Sequence, residues 1–108
     1  MSIYVLNKES NVFLNIEGAQ LICIQERKVS NGSKGFAVLC YHETPKMGSP
    51  AYIIAEFSDK ADALECWNKV TEHEINNIPN SILEVESKLK ASIIEIPTDK
   101  DKNSVLMK

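Results

Sequence analysis

Long apolar runs, a basic surplus and an even set of cysteines are all missing from this chain of 108 residues, and each absence removes a class of function. No apolar stretch approaches the roughly 20 residues that span a bilayer, and no charged-then-apolar leader opens the sequence. Three cysteines, an odd number, do not build a secreted disulfide framework; they fit a reducing compartment and a cytoplasmic protein. Aromatic residues make up only 6% of the chain, and the formal charge is −3. Between residues 56 and 95, Lys60, Lys69, Lys88 and Lys90 are outnumbered by acids, so that half repels phosphate. Without a basic stripe interleaved with aromatics, nucleic-acid binding is not expected. Internal repeats, linkers and low-complexity blocks are absent too. "SNGSKG" (Ser30–Gly35) is glycine-rich but lacks the strand-to-helix context and spacing of a phosphate loop.

The residues that are present describe one ordinary domain, with 44% apolar and 25% charged content. "IYVL" (Ile3–Leu6) and "VFLNI" (Val12–Ile16), parted by polar residues, predict two strands. "LICIQERKV" (Leu21–Val29) and "FAVLCYH" (Phe36–His42) predict two more around Asn31-Gly32, and "AYIIAEF" (Ala51–Phe57) a fifth. Ser58 or Asp59 caps an amphipathic helix whose stripe is Leu64, Trp67, Val70 or Thr71, Ile75 and Ile78. Beyond Pro79, Ser81 and Glu84 have the spacing of a capping box, which predicts a shorter second helix, although "SILEVE" also alternates like a strand. "SIIEIP" (Ser92–Pro97) reads as a short edge strand. The expected architecture is therefore α+β: an antiparallel meander of four to five strands, a C-terminal amphipathic helix packed on one face, and a shorter second helix. The domain spans residues 1–97, and a flexible tail follows over 98–108.

Asn-Gly favours a two-residue type I′ turn, because both positions take positive φ. Counting outward from that turn sets Arg27 opposite Phe36, Cys23 opposite Cys40 and Leu21 opposite His42. Alternation then puts Leu21, Cys23, Val38, Cys40 and His42 on one face, and Ile22, Ile24, Leu39 and Tyr41 on the other. Cys23, Cys40 and His42 offer three zinc ligands on paper, but they sit mid-strand among apolar residues rather than as close pairs on turns. Buried free cysteine behaves as a small hydrophobe, so core packing is the expectation. A Cys-His nucleophile at Cys40 and His42 lacks an orienting group, and His73 with Glu72 or Glu74 lies on a solvated helix face. Neither metal, cofactor nor catalytic residue is assigned, and the protein is expected not to be an enzyme.

Both faces of the predicted sheet are apolar near the middle, whereas an antiparallel sheet normally shows one polar face. The helix is expected on the face with Cys23, Val38, Cys40, Ile53 and Ala55, where small side chains leave room for Trp67. That leaves Ile22, Ile24, Leu39, Tyr41, Tyr52 and Ile54 as a partner-binding patch, with Met47 exposed on the loop "ETPKMGSP" (Glu43–Pro50). A second subunit covering the patch isologously makes a homodimer the expected state.

Strands followed by "FSDKADA" (Phe57–Ala63) opening a helix resemble a layout of short accessory proteins from bacteria and their phages. The resemblance extends from Tyr4 to Ile78 and carries no site residues. It implies a non-enzymatic protein-binding module, including inhibitors of bacterial defence systems. The alternative is a protein that binds or sequesters a small ligand in a pocket at a subunit interface.

Overall fold

The computed structural model describes residues 2–90. Six strands and one helix follow in the order β1 (Ile3–Asn7), β2 (Val12–Asn15), β3 (Leu21–Lys28), β4 (Lys34–Tyr41), β5 (Tyr52–Phe57), α1 (Lys60–Asn76) and β6 (Ser81–Val85). The strands form two three-stranded sheets, β2-β1-β6 and β3-β4-β5. All pairs are antiparallel except β1 with β6, which run parallel. The α+β class is as expected, but a single meander is not what forms.

The second helix is replaced by β6. Its alternation, not its capping-box spacing, decides the outcome: Leu83 and Val85 join the core beside Val5 and Asn7, while Ile82 and Glu84 face outward. Ser81 Oγ donates to the carbonyl of Ile78 at 2.7 Å, which closes the turn into β6 instead of capping a helix. Asn77 ends α1 in the left-handed region (φ 51°), and its N–H donates to the carbonyl of His73. The predicted edge strand over Ser92–Pro97 and the tail over 98–108 lie outside the described residues.

The β3–β4 turn is one residue longer than Asn-Gly suggests. Val29 N–H donates to Ser33 O at 2.9 Å and Gly32 N–H to Val29 O at 2.9 Å, so Ser30, Asn31 and Gly32 form a three-residue loop. Gly32 alone takes positive φ (88°), the arrangement of a type I turn followed by a left-handed residue. Asn31 Oδ1 accepts from the Ser33 N–H at 3.0 Å, fixing that geometry. The register slips by one, so Cys23 faces Leu39, Ile22 faces Cys40 and Glu26 faces Phe36. A one-residue slip reassigns one strand's faces relative to the other.

A second irregularity follows on β5. Val38 pairs with Ala55 and Leu39 with Ile53, leaving Ile54 as a bulge. Ile54 and Ala55 are both buried in the helix-side core. The freed carbonyl of Ile54 accepts from Asn7 Nδ2 at 3.0 Å, and the same amide donates to Ser87 Oγ at 3.1 Å. Asn7 is the buried polar side chain that fastens β1 to β5. Past β6 the chain crosses to the β5 edge, where Lys88 N–H donates to Glu56 O and Ser58 N–H to Lys88 O, each at 2.9 Å.

Helix α1 spans both sheets with Ala63, Cys66 and Val70, one position off the predicted stripe at its start. Small Ala63 and Cys66 let the helix axis come close to Ile22, Val38, Cys40 and Ile54, whereas Leu64, Ile75 and Ile78 remain exposed. Asp59 occupies the N-cap position, yet its carboxylate pairs with Lys90 Nζ at 3.2 Å rather than with the first turn.

A candidate protein-binding surface

The expected patch does not exist as one surface. Ile22 and Ile54 are buried and Ile24 half-buried in the core beneath α1, because the register slip and the bulge turn them toward the helix. Leu39, on the opposite face with Cys23, is buried, and Tyr41 half-buried. Tyr52 is exposed and meets the His42 ring edge-on at 5.8 Å; Met47 is fully exposed on its loop. The structure thus brings together only subsets of these seven residues.

The expected grouping of the thiols changes likewise. Cys40 remains near His42 (Sγ to Nε2 4.0 Å), but Cys23 now projects from the other face, so three ligands do not converge. Burial, reinforced by the Glu74 carboxylate and Cys23, pushes the Cys40 thiol up to about 11. Burial does the same for Cys66, to about 11, and raises Cys23. Burial thus favours the protonated form of all three thiols.

A cleft of about 600 Å³ opens between the β1–β2 turn and the start of α1. Three of its polar side chains hold the chain: Glu9 Oε1 accepts from the Ser87 N–H at 2.9 Å, Glu56 Oε1 from the Ser30 N–H at 3.2 Å, and Ser58 Oγ from the Lys90 N–H at 2.7 Å. The cleft is a seam along which residues 87–90 are stitched to the sheet.

An exposed apolar row lies instead on the outer face of β2-β1-β6. Tyr4 sits opposite Ile82, and Leu6 opposite Phe13, so an apolar row crosses all three strands. The Tyr4 and Phe13 rings stack with centroids 4.6 Å apart and planes 14° from parallel. Phe13 is 57% exposed and Ile82 54%. At one end the row is bounded by the ion pair of Lys8 and Glu84, 3.9 Å apart. Stacking of this kind fixes both rings and presents a preorganised apolar platform within a polar border.

The alternation of "IYVL" and "VFLNI" already held this face, since Tyr4, Leu6 and Phe13 are the residues opposite the inward Ile3, Val5 and Leu14. Sequence reasoning missed it because β6 was assigned to a helix, which left Ile82 without a place beside Tyr4. Among the described residues, no helix is long and apolar enough to cross a membrane. No known protein family, curated protein or solved structure matches the chain.

Proposed function

We propose that this protein is a non-enzymatic protein-binding module that acts by occupying a partner's surface, and that the outer face of β2-β1-β6 is where it does so. The observation that carries this reading is the stacked Tyr4–Phe13 pair continued by Ile82, with both Phe13 and Ile82 more than half exposed. Aromatic anchors ringed by polar residues are the side chains from which protein interfaces draw most of their energy. A second copy is the simplest occupant, because two such faces related by a twofold axis bury the row isologously and give a homodimer. The layout resemblance to bacterial and phage accessory proteins supports the wider role, including inhibition of a defence system. Sequestration of a small ligand has less support, since Glu9 and Ser58 of the cleft of about 600 Å³ are engaged in holding residues 87–90.

A photo-crosslinking side chain placed at position 13, and in a second variant at the solvent-facing position 72, tests the proposal in producing cells. Position 13 is expected to give a discrete adduct, of twice the chain's mass if the occupant is a second copy, and position 72 none. Equal labelling from both positions contradicts the proposal.

A further inference from the structure

Among the described residues, β3 is the outer strand of β3-β4-β5, bonded on one side only, to β4. The hydrogen bond from Val29 to Ser33, with the register that follows, directs the main-chain groups of Arg27, Gln25 and Cys23 toward β4. Those of Ile22, Ile24, Glu26 and Lys28 therefore point away from the sheet. The indole of Trp67 confirms the direction, for its Nε1–H donates to the carbonyl of Ile22 at 2.6 Å from outside the strand. That contact blunts one end of the edge, and among the described residues none reaches the outward groups of Ile24 and Glu26.

An apolar groove of about 360 Å³ runs beside the same edge, lined by Leu21, Ile22, Cys23, Ile24, Leu64 and Trp67. Leu64 is 43% exposed, so its side chain forms a wall that the fold itself does not use. At the other end of β3, Arg27 and Lys28 are exposed and take part in none of the ion pairs among the described residues, whereas Glu26 is paired with Lys34. An edge with no strand beside it among the described residues, an apolar channel for alternate side chains and a cationic end occur together along one strand.

We infer that the β3 edge receives an extended segment of a different protein, added as a fourth strand antiparallel to β3. Its alternate apolar side chains lie in the groove against Leu64 and Trp67, and acidic residues at its N-terminal end meet Arg27 and Lys28. Main-chain bonds to Ile24 and Glu26 supply affinity, and the groove supplies selectivity. A second copy fits this edge poorly. In the antiparallel registers that match outward residues of two copies, Arg27 falls on Cys23, Gln25, Arg27 or Val29 and never on an acid, so the cationic end finds no directly opposed partner for Arg27 there. The inference goes beyond the proposal for β2-β1-β6 and is independent of it, since the two surfaces belong to different sheets; crosslinking from position 13 is unaffected if the β3 edge proves inert.

The probe is an acetylated octapeptide that opens with two acidic residues and continues as alternating valine and threonine. Trp67, the single tryptophan, reports binding by its emission, and amide exchange reports on Ile24 and Glu26. The expected result is a saturable emission shift, with exchange at Ile24 and Glu26 slowed about tenfold or more when the peptide is bound. Methylating the peptide nitrogens that face β3 is expected to abolish both signals. Leu64→Asp, at an exposed position, is expected to weaken binding about tenfold. Arg27→Glu is expected to weaken it as well, with recovery when the two acids of the peptide become lysines. Circular dichroism of both variants confirms that they are folded. The inference is overturned if millimolar peptide leaves Trp67 unchanged, or if the methylated peptide binds equally well. It is also overturned, in favour of a second copy, if protection of Ile24 and Glu26 appears without peptide and grows with protein concentration.

Discussion

A phenylalanine on the inner face of one sheet and a phenylalanine on the outer face of the other meet opposite fates. In β3-β4-β5, Phe57 is 2% exposed, sealed by α1 together with Ile54 and Val38. In β2-β1-β6, Phe13 sits on a strand of similar composition and stays open to water. Composition does not distinguish them; what lies opposite does. Helix α1 covers the inner face of both sheets, and among the described residues nothing lies over Phe13 and Ile82. With one helix among the described residues to cover two sheets, the outer face of the smaller sheet is where an apolar row signals a partner rather than a core.

Replacing each phenylalanine by alanine is the sharpest way to break that contrast. Phe57→Ala removes a ring from the centre of the core and should cost about 3–5 kcal/mol in urea unfolding. Phe13→Ala loses only exposed contacts and its stacking on Tyr4, so a cost below about 1.5 kcal/mol is expected. Similar losses for both would mean that the outer face is structural.

Asn7→Ala comes next. It strands the Ile54 carbonyl at the bulge and the Ser10 N–H, which Asn7 Oδ1 accepts at 3.3 Å. A loss of about 2–3 kcal/mol is expected, as for a buried polar group left without its partner. Trp67→Phe is a smaller change, because it keeps most of the ring and removes only the bond to Ile22 O. Stability should fall by about 0.5–1.5 kcal/mol, and exchange at the β3 edge should quicken.

A further effect is set by pH. Cys40 and Cys66 are raised from an ordinary 9.0 to about 11 in the fold. The folded state therefore favours the protonated thiol, and this contribution is whole below pH 9 and lost as pH climbs toward about 11. Unfolding midpoints measured from pH 8 to 11 should decline over that window, and less steeply in Cys66→Ala. A flat profile would place the thiols in a more solvated setting than the core.

Much of this fold was legible in advance, and the failures are local. The first five strands and α1 are found where β-branched clusters and the Ser58-Asp59 signal place them, because strand composition and helix periodicity act over several residues. Register depended on a single residue: Asn31 bonds to Ser33 through its side chain instead of taking positive φ, and every pairing moved by one. Ile54 was misplaced because a bulge leaves no mark in the alternation of "AYIIAEF". β6 was missed because its partner, β1, lies at the far end of the chain, and parallel pairing over that distance has no local signature. The outer-face row depended on β6, so the candidate site was the last thing the sequence could reveal.

The most direct test pairs two readouts on one variant, Phe13→Asp, carrying a photo-crosslinking side chain at position 82. The urea midpoint should stay close to that of the parent, because the face is not part of the core, while the adduct seen in producing cells disappears. An adduct that persists, or a collapse in stability comparable to that of Phe57→Ala, would contradict the assignment of the outer face of β2-β1-β6 as the binding surface.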